Sequence, residues 1–213
     1  MEYPRFTSSE RTPTQENISR EKKEVGAKLT GRLYLLLAAK INGGDAPLTT
    51  VPEEWINAPG QSYDIHIQGD EAFTQRTKEA FEVLRANAAD FHTFVKQNIG
   101  IIQQVKRGSR MDASELIPVF FAGDNGSQGG KKWYAGAMVH EAWHSYLYRQ
   151  WQREHPGEIV PLDEWTGKAV EQQCLNLQYG ALVQLKASPV DLLQIRNAIN
   201  TRYWEVPVEK RSW

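Results

Sequence analysis

A single cysteine, Cys174, stands in the 213 residues. That excludes an internal disulfide and any zinc knuckle built on cysteine pairs. A lone thiol suits a reducing compartment. Long hydrophobic runs are missing too: the longest, residues 33–39 (LYLLLAA), is far too short to span a bilayer. The opening residues have no basic stretch followed by an apolar one, so the sequence as it stands carries no secretory signal, and a cytoplasmic location is expected. Charge of one sign is also lacking. With 25 basic and 26 acidic residues the net charge is −1, which gives no electrostatic case for nucleic acid or an anionic membrane as partner. No repeat or low-complexity tract is present.

The composition that remains is globular, 40% hydrophobic and 24% charged, enough for one core of ordinary size. Residues 1–24 are polar and aperiodic and read as a tail, leaving residues 25–213 as a single domain. Residues 25–41 have apolar positions at helical spacing, weakened by Gly26 and Gly31. A Gly/Pro-punctuated connection then runs to residue 61. Tyr63 to Ile67 alternates as a strand does, and Asp70 is placed to cap a helix over 71–87, with a second helix over 90–97. Residues 101–105 and 117–121 (IPVFF) read as strands separated by a polar turn, and Pro118 assigns the second to a sheet edge. Helices are expected over 133–152, 162–186 and from Ser188 or Pro189 to Asn200. The fold class is therefore α+β, mainly helical with a small, partly antiparallel sheet.

Residues 123–132 (GDNGSQGGKK) resemble a phosphate-binding loop only superficially. Asn125 stands where the first glycine is needed, and Lys132 follows Lys131 in place of Ser or Thr. A loop rimming a cleft is the better reading.

Residues 137–146 (AMVHEAWHSY) contain His-Glu-x-x-His in a chain with five histidines. On a helix His140 and His144 lie one turn apart on the same face and can converge on one ion. Glu141 projects beside that ion, where it can deprotonate a zinc-activated water. The flanking residues are uncharged, so the helix is buried, and buried His and Glu side chains need polar partners. The bland alternative is a pair of core histidines bonded to backbone.

A third ligand is required. The His-x-x-Gly-x-x-His extension is excluded, because Leu147 and Gln150 occupy the critical positions. Glu171 shares a helical stripe with Cys174, Leu175, Gln178 and Leu182, so its carboxylate faces inward and a cation is its simplest partner. Glu164 is the rival, near an expected helix start where acids favour the dipole. Cys174, one turn after Glu171, could lie near the metal, but a packed core thiol is the better reading. Trp133, Trp143 and Trp151 read as core or cleft wall, and His66 and His92 lack ligand spacing.

The motif His140-Glu-Ala-Trp-His144 followed by Glu171 resembles the gluzincins, zinc metallopeptidases with two His and one Glu as metal ligands. The likeness covers about residues 120–186, with the metal core at 117–186. It implies a zincin-like domain with its sheet beside the metal helix, Zn²⁺ as cofactor and a peptide or protein as substrate. It also implies that the Pro118-Val-Phe-Phe121 strand edges the cleft and pairs with extended substrate. Gluzincins supply a His or Tyr to stabilise the oxyanion; Tyr203, His155, Tyr179 and Tyr148 are candidates by residue type, Tyr203 first. The resulting expectation is a zinc peptidase with Glu141 as general base. The alternatives are a zinc-binding interaction protein without turnover, and a structural domain in which the motif is incidental. A further expectation is that the aromatic tail 201–208 docks on the body, or lies across the cleft and inhibits it.

Overall fold

Asp70 accepts a hydrogen bond from the Phe73 amide at 2.7 Å, and there the chain turns from strand to helix. The computed structural model describes Val51, residues 62–201 and Glu205, which all fall in one compact unit, Pro47–Trp213. The expected tail 1–24, the element at 25–41, most of the connection before residue 62, Tyr203 and most of the 201–208 tail lie outside the described residues.

The fold is α+β and mainly helical. Strand β1 (His66–Gln68) leads to helix α1 (Glu71–Asn87), α2 (Ala89–Asn98), β2 (Ile101–Val105), β3 (Arg110–Asp112) and β4 (Val119–Gly123). Helix α1 buries Phe73, Thr77, Ala80 and Leu84, a stripe of period three to four. Phe81 is only partly buried and meets His92 edge-on. The sheet order is β1-β2-β4-β3, with β1, β2 and β4 parallel and β3 antiparallel to β4.

Two strand expectations are corrected. The Pro-Val-Phe-Phe strand is internal, since β4 pairs with β2 on one side and β3 on the other. Pro118 lies just before it, where no ladder N–H is required, and its carbonyl accepts from the Gly100 and Ile101 amides at 3.0 Å each. The polar turn after β2 contains the edge strand β3, hidden in the sequence because only Met111 of its three residues is buried. Arg110 lies over the Phe121 ring, 4.0 Å from its centroid, and so covers the sheet face there.

The glycine-rich segment begins with a short helix, α3 (Asp124–Gln128), and ends at Gly130, whose φ of 92° favours glycine. Helix α4 (Lys131–Glu154) follows and is buried at almost every position from Trp133 to Tyr146, as expected of a helix uncharged all round. It packs against α1, α2 and β3, and most extensively against a later helix.

That later helix is shorter than its periodicity predicts. The expected 162–186 helix is two: α5 (Asp163–Thr166) and α6 (Lys168–Gln184). Gly167 is extended between them and its carbonyl accepts from Glu171 N at 3.0 Å, starting α6. A Cβ at Gly167 would lie 2.9 Å from the Asp163 carbonyl, so the tight junction requires glycine. Helix α7 (Pro189–Asn200) begins where expected, and a capping box between Ser188 and Asp191 starts it. It closes a C-terminal cluster of Trp133, Leu175, Leu182, Ala187, Ile195 and Ala198. Among the described residues, no helix is long and apolar enough to cross a membrane.

Candidate metal centre

Helices α4 and α6 approach closely at Gly136, where an added Cβ would meet Leu182 Cγ and Cδ2 at 3.1 Å. The approach brings α6 side chains onto the turn of α4 that carries His140, Glu141 and His144. All three of those residues are buried.

The imidazoles converge as their spacing requires, with His140 Nε2 and His144 Nε2 3.4 Å apart. The carboxylate of Glu171 spans the pair: Oε2 lies 3.5 Å from His140 Nε2, and Oε1 lies 3.8 Å from His144 Nε2. Cys174, three residues on along α6, places Sγ 3.4 Å from His144 Nε2. His140, His144 and Cys174 form a buried group able to hold a metal ion, with their donor atoms all within 4.8 Å of one another. A tetrahedral ion bound at 2.0–2.3 Å holds neighbouring donors about 3.3–3.6 Å apart. The His–His, His140–Glu171 and His144–Cys174 separations fall in that range, and His144–Glu171 is slightly longer.

Nitrogen protonation on His144 is fixed by its other partner. Nδ1 lies 2.7 Å from the Trp165 carbonyl, which can only accept, so Nδ1 carries the proton and Nε2 presents a lone pair to the cluster. Two imidazole lone pairs cannot face each other at 3.4 Å without a proton or cation between them. The electrostatics of His140 agree. Burial disfavours its charged form, but Glu171, then Glu141 and the Gln178 carboxamide, outweigh that cost and raise its pKa. In the metal-free protein the cluster thus favours the protonated form of His140.

Glu141 is set apart from this cluster by its surroundings. Burial pushes its pKa up to about 7, with His140 lowering it and Glu171 raising it. It lines a small cleft of about 20 Å³ together with His140, Ala137, Trp133, Gln178, Ser109 and Gly126. The glycine-rich segment thus contributes Gly126 to the rim. The Cys174 thiol is pushed well above its ordinary value by burial and then by Glu171 and Glu141.

The structure brings together four of the residues singled out in the sequence as site residues, His140, Glu141, His144 and Glu171. The rival Glu164 is exposed on α5. Distance from a helix start does not separate the two carboxylates: Glu171 also lies in a first turn, that of α6, because the helix breaks at Gly167. Tyr148 packs on Trp165, Tyr179 joins the C-terminal cluster and Arg196, and His155 stacks on Trp151; none of the three lines the cleft. Tyr203 lies outside the described residues. His66 is exposed and His92 lies against Phe81, away from the cluster.

The sequence placed Cys174, three residues after Glu171, where it could lie near the metal, but favoured core packing. Two contributors had no role in it: Gln178 was visible only as a member of the Glu171 stripe, seven residues on. The Trp165 carbonyl had no signal, since any residue supplies one. Compared with known proteins, the chain matches no family model, no curated protein and no solved structure.

Proposed function

We propose that this protein is a zinc-dependent metallohydrolase of gluzincin type, acting on peptide bonds. The observation that carries the reading is the meeting of His140, His144 and Glu171 within 3.4–3.8 Å, with Glu141 beside them in the cleft wall. His140, His144 and Glu171 would hold the ion. When bound, zinc supplies Lewis acidity that acidifies water and polarises a carbonyl. Glu141 accepts the proton of the attacking water and returns it to the leaving amine; a carboxylate whose pKa lies near neutrality suits both transfers. The Trp165 carbonyl orients the His144 imidazole.

Strand β3 takes over the docking role first assigned to the Pro-Val-Phe-Phe strand. It packs on α4 and, among the described residues, pairs on one side only, so an extended peptide can add to its outer edge. A site containing a free thiol suits a reducing, cytoplasmic setting.

Metal analysis combined with Glu141→Gln tests this reading. The wild type should carry one zinc per chain after reconstitution, and Glu141→Gln should keep the zinc and lose hydrolysis of a peptide library. Absence of zinc from the wild type would remove the metal reading, and unchanged cleavage would remove Glu141 as base. One observation favours a second reading, a non-catalytic zinc-binding interaction protein: His140, His144 and Cys174 group as three donors, and Glu171 beside them would make four, the number typical of closed structural sites. Under that reading zinc binds and no peptide in the library is cleaved by the wild type.

A further inference from the structure

We infer that Cys174 is itself a ligand of the metal, so that sulfur joins the two imidazoles in the donor set; this rests on the metal reading of the site above.

Three observations support it. The first is distance: Sγ lies 3.4 Å from His144 Nε2, close to the roughly 3.5 Å that separates a thiolate and an imidazole on one tetrahedral ion. Second, Glu171 and Cys174 are three residues apart on α6 and share a face, so the turn that brings the carboxylate to the histidines brings the sulfur as well. Third, His140, His144 and Cys174 are all buried, and their donor atoms lie within 4.8 Å of one another. On binding, a divalent ion would replace the thiol proton. The S–H bond breaks, a sulfur–metal bond forms, and the proton leaves to solvent with no change of oxidation state.

The cleft is lined by His140 and Glu141 but by neither His144 nor Cys174. Cys174 thus reaches the histidines from outside the cleft lining. A thiolate donor also sets metal preference: zinc, cobalt(II) and cadmium are favoured over magnesium and manganese.

Cobalt(II) substitution of the full chain tests the assignment. The loaded wild type should show visible d–d bands together with an intense near-ultraviolet sulfur-to-cobalt charge-transfer band. Cys174→Ser should lose the charge-transfer band while retaining d–d bands. Because Cys174 is fully buried and the variant can misfold, zinc-edge X-ray absorption on the wild type provides a measurement that needs no substitution. It should detect one sulfur at about 2.3 Å. Bound metal with neither a charge-transfer band nor a sulfur scatterer overturns the role of Cys174 and leaves the His-His-Glu reading standing. No bound metal of either kind overturns both.

Discussion

Trp165 holds His144 through a backbone carbonyl, at 2.7 Å from Nδ1. The contact comes from the short helix α5, not from the helix that supplies the acidic and sulfur donors, so the position of α5 governs how His144 is aimed. Gly167 sets that position.

Gly167→Ala should therefore weaken the site without touching a donor. Its Cβ would come within 2.9 Å of the Asp163 carbonyl and 3.3 Å of Asp163 Cα, and backbone must shift to relieve it. Loss of an outer hydrogen bond to a metal-bound histidine typically costs 10–100-fold in affinity. We expect at least about a tenfold fall in zinc affinity by chelator competition, with helical circular dichroism unchanged. Affinity equal to wild type would mean that the Trp165 contact does not orient His144.

Gly136 is the corresponding point of close approach on the other side of the site. Gly136→Val forces a branched side chain against Leu182 and Gln178, separating α4 from α6. Overpacking of this kind costs about 1–3 kcal/mol. Because the two helices carry the two halves of the cluster, melting temperature and zinc affinity should fall together. A variant that lost stability alone would uncouple the helix interface from the site.

Trp143 tests the core that supports the metal helix. It is buried against Phe94 and Tyr146, and its indole N–H donates to Gln173 Oε1 at 3.1 Å. Trp143→Ala should destabilise the protein by about 3–5 kcal/mol, read from the urea midpoint. Trp143→Phe retains most of the apolar volume and should cost clearly less. Equal losses would assign the energy to the hydrogen bond instead of to packing.

The metal-free protein should become more stable as pH falls from 8 to 6. Glu141 has a folded pKa of about 7 against an ordinary 4.5, and His140 is raised above 6.5. In this window the folded state binds more protons than the unfolded one, so both groups favour folding at the lower pH and lose that contribution as pH rises. Thermal unfolding of chelator-treated protein should show the trend, and Glu141→Gln should flatten it. Zinc should oppose it, because an ion held by His140 would displace the proton there and bind more tightly as pH rises. A flat profile in the metal-free wild type would contradict the buried, proton-retaining site.

Much of this was legible where one physical signal dominated. The capped starts of α1 and α7 followed from Asp70 and Ser188, and β2 from its apolar residues. The metal helix followed from an uncharged stretch that only burial explains. The features that were not legible depend on tertiary pairing. Strand β3 has one buried residue and exists because β4 offers it a partner, and β4 is internal because Pro118 stops just short of the ladder. The break at Gly167 was not legible, since a lone glycine inside a helical stretch is tolerated as often as it ends one. Cys174 was read as packing because burial and ligation favour the same stripe position; only the 3.4 Å contact with His144 separates them.

The division of the cluster between α4 and α6 has a kinetic consequence. An ion held by both helices is a cross-link between segments distant in sequence, comparable in effect to a disulfide but made and broken by solution conditions. Such a link acts on whichever step parts the helices. If α4 and α6 dock late in folding, the ion slows unfolding and leaves the folding rate nearly unchanged. The lifetime of the native state is then set by the supply of metal around it.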